Sequence, residues 1–370
     1  MNSQLLQSSL SLGSNEIRDC SVSVPPGGDL DPRNLEFGRI FCRNMFLADY
    51  GDGKWRDPRI EPLRDFSVHP GSVFVHYAQT IFEGLKAFRH ADGRLALFRP
   101  AENARRLNIS AEIMGMPSFE PEMFVQACVR LTSVEGQYVP SDPGCLYLRP
   151  AMIGTEPCLG IRSSATFVFF VLALPTGSYF KETASGAGSI SVLVSESSVR
   201  AAPGGTGMAK TGGNYAATLR TQMRAKEMGC AQALYLHAVD RRGIEEMGGM
   251  NIFFVRDGRL VTPPLSDTIL QGIMRNTILT VASDLNIPAQ EMRLDINDVL
   301  RDIRNGTISE AIASGTAAVL TGINSFMLEN GERIPVGTSS PGPITSTIYE
   351  HIRGVQYGSQ PDPHEWMVYV

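Results

Sequence analysis

Lysine is nearly missing from this chain. Lys54, Lys86, Lys181, Lys210 and Lys226 are the whole set in 370 residues, and arginine supplies the remaining positive charge. A net charge of −5 and a pI of about 5.8 leave no basic stripe of the kind a nucleic-acid binder carries. No apolar run approaches the ~20 residues of a membrane span. The longest, residues 167–175, has the length of a strand. The first residues, MNSQLLQSSLSLGS, lack the basic start and sustained apolar stretch of a secretory signal. The cysteines, Cys20, Cys42, Cys128, Cys145, Cys158 and Cys230, form no CxxC pair, so reduced thiols in a cytoplasmic protein are expected. The histidines form no HxxxH pair, and no metal site is expected.

What is present suffices for a sizeable core. Apolar residues make up 43% and charged residues 19%, which excludes wholesale disorder. At roughly 150 residues per domain the length suggests two or three domains. Residues 1–30 are Ser-rich and end in PPGGDLDP, a flexible arm. Residues 84–100 read as a hairpin turning on Ala91-Asp92-Gly93, followed by a helix over 102–114. Residues 166–175 read as a buried strand. The polar, glycine-bearing stretch 176–189 reads as a linker between two structured halves.

The second half opens on the strand ISVLVSES. A glycine-rich loop follows, then a helix over 215–227 and a strand over 233–237. A second hairpin, NIFFVRDGRLVTPP, again turns on Asp-Gly. Residues 268–285 read as a loop and helix, and 307–322 as two strands broken at Ser314-Gly315-Thr316. Hairpins and helices without strict βα alternation point to an α+β fold.

The densest stretch is GGTGMAKTGGNY, residues 204–215, where Lys210 is flanked by five glycines. Glycine lets a backbone approach a ligand closely. The loop fails the Walker spacing, so it is not a nucleotide phosphate loop. It reads as a lysine held as an amine nucleophile for a carbonyl, or as a surface loop with an incidental lysine. Three further segments bear on the choice. IEEMGGMNIFF (244–254) sets carboxylates before a glycine turn, suited to a cationic ring nitrogen or merely solvated. ILQGIMR (269–275) opens a helix whose free N–H groups suit a phosphate. Ser314 to Ala318 offer a hydroxyl and backbone N–H groups, or a simple bulge. Together these are the parts of a pyridoxal phosphate site.

The sequence resembles the branched-chain amino-acid aminotransferases of the fold type IV pyridoxal phosphate class, from about Phe37 to Trp366. The resemblance rests on QTIFEGLKAFR (79–89), LFRPAENARRLNISAEIMGMP (97–117), YLRPAMIGTEPCLG (147–160), GGTGMAKTGGNYAATL (204–219), EEMGGMNIFFV (245–255), LVTPPLSDTILQGIMR (260–275) and ASGTAAVLTGI (313–323). It implies a two-domain α+β fold with the site between the domains. The division would be a flexible arm 1–30, a small N-terminal domain 31–175, a connecting loop 176–189 and a larger cofactor-binding domain 190–370. It also implies a homodimer acting on amino acids and 2-oxo acids, with no nucleic-acid or membrane partner. The implied reaction is ping-pong transamination of leucine, isoleucine and valine with 2-oxoglutarate, passing through pyridoxamine phosphate. A biosynthetic transaminase of the same family, acting on an unusual, aromatic or β-branched amino acid, is the alternative.

Carried over by position, the resemblance makes Lys210 the catalytic lysine that forms the Schiff base with pyridoxal 5'-phosphate and shuttles the proton. Glu246 would bond the pyridine nitrogen and Tyr215 the ring phenolate oxygen. Arg106, the backbone N–H groups of Ile273 and Met274, and the Thr316 hydroxyl would hold the phosphate. Phe37, Tyr77, Phe82 and Tyr147 would wall the substrate pocket. Arg149 would receive the second carboxylate of glutamate, and Ala317 and Ala318 the α-carboxylate. The chain departs from the family's FTDHM with Phe41-Cys42-Arg43-Asn44-Met45, and from its LPG with Leu270-Gln271-Gly272. Ala318 and Thr321 stand where some mammalian members carry a CxxC, so redox switching by that route is not expected.

Overall fold

The structure is a computed structural model that describes residues 17–21, 31, 32, 35, 37–177 and 188–370. Most of the proposed arm 1–30 and of the linker 176–189 lies outside the described residues. Two mixed sheets of nine strands each organise the rest. The first runs Lys54–Pro62, Asn44–Gly51, Phe167–Thr176, Cys145–Gly154, Leu85–Arg89, Leu95–Phe98, with Arg18–Asp19 at one edge and Thr80–Phe82 paired to Cys145–Gly154. The second runs Ile244–Met247, Gln232–Leu236, Ser189–Ser195, Val319–Met327, Ile308–Gly315, Asn251–Arg256, Arg259–Thr262, Ala289–Glu291, with Arg333–Pro335 on Val319–Met327. The α+β reading of the sequence therefore holds. The last strand, Met367–Tyr369, leaves the second half of the chain and closes the first sheet against Leu95–Phe98.

Local chemistry explains most boundaries. The helix expected over 102–114 spans Pro100–Ile113, because Pro100 supplies a preset φ and no N–H at the first turn. The second hairpin turns where expected, with Asp257 and Gly258 both at positive φ, 48° and 73°. That is the primed geometry whose twist matches the flanking strands. The helix expected over 215–227 is two pieces, Gly212–Ala216 and Leu219–Glu227. The first starts earlier because Thr211 is extended and bonds back to the first sheet through its hydroxyl and Thr80 O, 2.8 Å. A helix the sequence reading did not pick out, Pro121–Val134, packs beside Pro100–Ile113 on the first sheet.

The strand Asn251–Arg256 shows why its sequence does not alternate. Ile252 and Phe254 face one core with Val192, Leu234 and Ile303. Phe253 and Val255 face the other, with Ile278, Ile348 and Ile352 of two covering helices. A strand covered on both faces needs apolar residues at every position. The second of these cores also takes in Phe88, Ala96 and Phe98 of the first sheet, so the two sheets share apolar packing. Each large side chain fully buried there contributes about 1.5–3 kcal/mol. Among the described residues no helix is long and apolar enough to cross a membrane.

Candidate active site

The glycine-rich loop ends by binding to the first sheet. The Lys210 N–H donates to Ser110 Oγ at 2.9 Å, and its carbonyl accepts from the Phe82 N–H at 3.0 Å. With the backbone stapled on both sides, the side chain has a fixed origin. Its Nζ donates to the Tyr215 hydroxyl at 2.9 Å. The Phe82 ring lies 5.0 Å from Nζ and 4.9 Å from the Tyr215 ring. The short helix Gly212–Ala216 turns Tyr215 back onto the lysine.

Phe82 continues the chain of contacts. The Arg149 guanidinium sits 4.9 Å over its face and 5.3 Å over that of Tyr147. Arg149 Nη2 donates to the Tyr147 hydroxyl at 3.1 Å, and Phe37 meets Tyr147 edge-on at 4.9 Å. A cation over aromatic faces is stabilised by their quadrupoles. Gly84 permits this arrangement, because a Cβ there would collide with the Tyr147 hydroxyl. Thus Phe37, Phe82, Tyr147 and Arg149 come together beside Lys210. Tyr77 is not brought into this group. It is 40% exposed, with its hydroxyl donating to Leu159 O at 2.5 Å.

Two buried carboxylates flank the lysine, and both feel its charge. Glu83 is fully buried and takes Arg106 in a two-bond fork, Nε to Oε1 at 2.7 Å and Nη2 to Oε2 at 2.8 Å. Asn103 adds a third bond at 2.7 Å. Burial alone would raise this carboxyl. Arg106, Lys210 and Asn103 outweigh it and hold it below the ordinary glutamate range. The remaining nitrogen, Nη1 of Arg106, donates to Gln271 O at 3.1 Å, just before the helix Ile273–Asp284. That helix presents first-turn N–H groups, those of Ile273 and Met274, with no intrahelical acceptor.

Glu246 is the second. Burial pushes its carboxyl up to about 7, against the opposing pull of Arg200, the Leu270 N–H and Lys210. Oε1 accepts from the Leu270 N–H at 2.9 Å and lies 2.7 Å from Arg200 Nη2, and Oε2 accepts from Asn251 Nδ2 at 2.8 Å. Gly272 leaves room for Asn251, whose Oδ1 would collide with a Cβ there. Thr316, Ala317 and Ala318 form the turn between the strands Ile308–Gly315 and Val319–Met327, two residues later than the expected break at 314–316. Thr316 and Ala317 line a cavity of about 230 Å³ with Tyr215 and Gly249. Ala318 packs against the core of the second sheet, and Lys86 Nζ donates to Ala317 O at 2.7 Å. Among the described residues no cluster of His, Cys, Asp or Glu is arranged to hold a metal.

Sequence reasoning gave no role to Glu83, Lys86, Arg200 or Asn251. Glu83, Lys86 and Asn251 lie inside recognised motifs, but their partners are distant in sequence. Arg200 precedes the glycine loop without a motif of its own.

The model of the amino-transferase class IV family matches residues 80–326. A probable branched-chain-amino-acid aminotransferase of Streptomyces coelicolor is 42% identical, over 90% of this chain and 92% of its own. Branched-chain-amino-acid transaminase 1 of Bacillus subtilis is 40% identical over 92% and 95%. A T.th. branched-chain amino acid aminotransferase, solved with pyridoxamine 5'-phosphate, superposes with a TM-score of 0.71 at 27% identity, covering 87% of this chain and 98% of that one. The same T.th. enzyme complexed with N-(5'-phosphopyridoxyl)-L-glutamate gives 0.69 at 25% identity over the same shares. A lysine amine held against a phenol and acting on two buried carboxylates, on a chain matched at such length, places this protein in the class IV aminotransferase family.

Proposed function

We propose that this protein transaminates L-branched-chain amino acids, leucine, isoleucine and valine, with 2-oxoglutarate as the amino acceptor, using pyridoxal 5'-phosphate at Lys210. The observation that carries the reading is the Lys210–Tyr215 contact at 2.9 Å within the charge field of buried Glu246. The relatives' names supply the substrate class, and the ligands of the T.th. enzyme supply the cofactor and a glutamate partner.

The residues present fit that cofactor. Arg106, the N–H groups of Ile273 and Met274 and the Thr316 hydroxyl would hold its phosphate. Glu246 would take its ring nitrogen, and Tyr215 its ring oxygen. When bound, pyridoxal phosphate supplies the carbonyl that takes up the amino group and the electron sink that stabilises charge at the substrate Cα, alternating between aldehyde and amine forms in a ping-pong cycle.

The chain's own groups do the rest. The Lys210 Nζ is the base that would remove the proton from the substrate Cα and return it two atoms further along, on the carbon beyond the amino nitrogen. The Tyr215 hydroxyl oxygen holds that amine by accepting its N–H. Phe37, Phe82 and Tyr147 wall an apolar pocket that excludes water from a leucine-like side chain. Arg149, stacked on Phe82 and Tyr147, would be the cation in that wall for the second carboxylate of glutamate. Ala317 and Ala318 offer N–H groups to the α-carboxylate. An apolar wall discriminates by only about 1–3 kcal/mol per methylene, so one site can accept all three branched substrates. The same reading takes the protein as a cytoplasmic homodimer with a small domain over 31–175, a loop over 176–189 and a larger domain over 190–370.

The test is the visible spectrum of the purified protein before and after L-leucine, without an acceptor. Loss of the yellow cofactor band, followed by its return with 2-oxoglutarate, is the expected result. A yellow protein that ignores leucine, isoleucine and valine but responds to another amino acid would move the substrate. A protein that pyridoxal phosphate cannot turn yellow would remove the reading.

A further inference from the structure

We propose that Arg200 is a positioning residue that keeps the proton on the cofactor's ring nitrogen, by holding the Glu246 carboxylate beside it as an anion. This rests on the reading of Glu246 as the ring-nitrogen partner. It adds a residue that no motif assigned.

The geometry is specific. Both side chains are 4% exposed, and Arg200 Nη2 lies 2.7 Å from Glu246 Oε1. The arginine is not free to swing away. Nη2 also donates to Gly207 O at 2.7 Å, on the glycine loop that carries Lys210, and to Thr268 O at 2.6 Å, on the approach to the helix Ile273–Asp284. The other groups around the carboxylate do not replace it. Asn251 and the Leu270 N–H are neutral donors. Lys210 acts on Glu246 from a distance but donates to Tyr215. Glu245, the next residue, opposes ionisation; Thr268 bonds its Oε1, and its Oε2 has no partner. Arg200 is therefore the one full positive charge in ion-pair contact with Glu246 among the described residues.

Charge decides where the proton sits. A carboxylate taken out of water becomes more basic, and an adjacent guanidinium makes it less so. Arg200 Nε has no acceptor, so this arginine is incompletely bonded as a hydrogen-bond clamp yet fully placed as a charge. Without that charge the ring N–H bond breaks and an O–H bond forms on Glu246. The ring is then neutral and a poorer electron sink. Each unit by which the carboxyl's pKa rises is a tenfold shift of the proton toward Glu246.

The test uses holoprotein loaded with isotope-labelled pyridoxal phosphate, read by the ring-nitrogen NMR signal. Arg200→Gln keeps amide N–H donors for the Gly207 and Thr268 carbonyls but removes the charge. The expected result is a protonated ring in the unsubstituted protein and a shift toward the unprotonated position in Arg200→Gln, with the near-ultraviolet circular dichroism unchanged. Arg200→Gln that loads and keeps a protonated ring overturns the proposal and leaves Arg200 as a loop clamp. Should Arg200→Gln fail to fold, Arg200→Lys decides, because an ammonium can lose its charge at alkaline pH where a guanidinium cannot. Loss of the ring proton at lower pH than in the unsubstituted protein supports the proposal, and superimposable titrations overturn it. An unsubstituted protein that takes up no cofactor overturns the reading of the site instead, and that outcome is visible before any variant is made.

Discussion

Lys210 Nζ donates to the Tyr215 hydroxyl across 2.9 Å, and the Phe82 ring lies about equally far from both groups, 5.0 Å from the amine and 4.9 Å from the tyrosine ring. Among the described residues the amine thus has one polar partner, the Tyr215 hydroxyl, and an aromatic wall. The lysine belongs to the second half of the chain and the wall to the first sheet, so the site exists only where the halves meet.

Lys210→Ala should abolish transamination while leaving the fold intact, since the loop is held by the backbone bonds to Ser110 and Phe82 rather than by the side chain. Steady-state rates with leucine and 2-oxoglutarate, beside a circular dichroism spectrum, check this. Near-normal turnover in the variant would end the assignment of Lys210.

Arg149→Ala should raise the KM for glutamate or 2-oxoglutarate far more than that for leucine. On the proposed reading only the dicarboxylic substrate would use this guanidinium, which is stacked on Phe82 and Tyr147. A hydrogen-bonded charge is worth about 1.5–3 kcal/mol, so the selective loss should be roughly 10- to 100-fold. Equal losses on both substrates would show that Arg149 does not face the second carboxylate.

Glu83→Gln should destabilise the protein by about 3–5 kcal/mol, because it leaves Arg106 buried without its carboxylate. Urea denaturation measures this. A loss below about 1 kcal/mol would show that the Glu83–Arg106 fork is not the anchor of that region.

Glu246 carries a pH signature in the protein without cofactor. Burial raises its carboxyl to about 7, above the ~4.3 of an exposed glutamate. The folded state therefore binds the proton more tightly. The stability this contributes is fully present below pH ~4.3 and is lost as pH rises through 7. Glu246→Gln, which does not titrate, should gain on the unsubstituted protein between about pH 5 and 7. Parallel stability curves would mean that Glu246 does not titrate in that window.

Gly272→Ala should weaken cofactor retention. The added Cβ collides with Asn251 Oδ1, and Asn251 donates to Glu246 Oε2. Dialysis followed by the visible spectrum would show faster loss of colour than in the unsubstituted protein. Unchanged retention would show that Asn251 can move without disturbing Glu246.

What the sequence determined by itself is the chemistry that sits close together along the chain. Lys210 and Tyr215 share one loop and helix start, the Asp257-Gly258 turn has a local steric cause, and the α+β pattern follows from hairpins mixed with helices. The seven motifs carried the family because they recur in order. Only the tertiary structure decided which charges meet. Glu83 pairs with Arg106 across 23 positions, Lys86 reaches Ala317 across 231, and Glu246 finds Arg200 on another segment. Only the fold, too, places Phe37 beside Tyr147 and sets the Tyr77 hydroxyl on Leu159 O. The reason is physical. Local conformation depends on neighbours a few residues away, which a sequence displays. The ionisation of a buried group depends on desolvation and on charges a few ångströms away, and those distances exist only once the two sheets have packed.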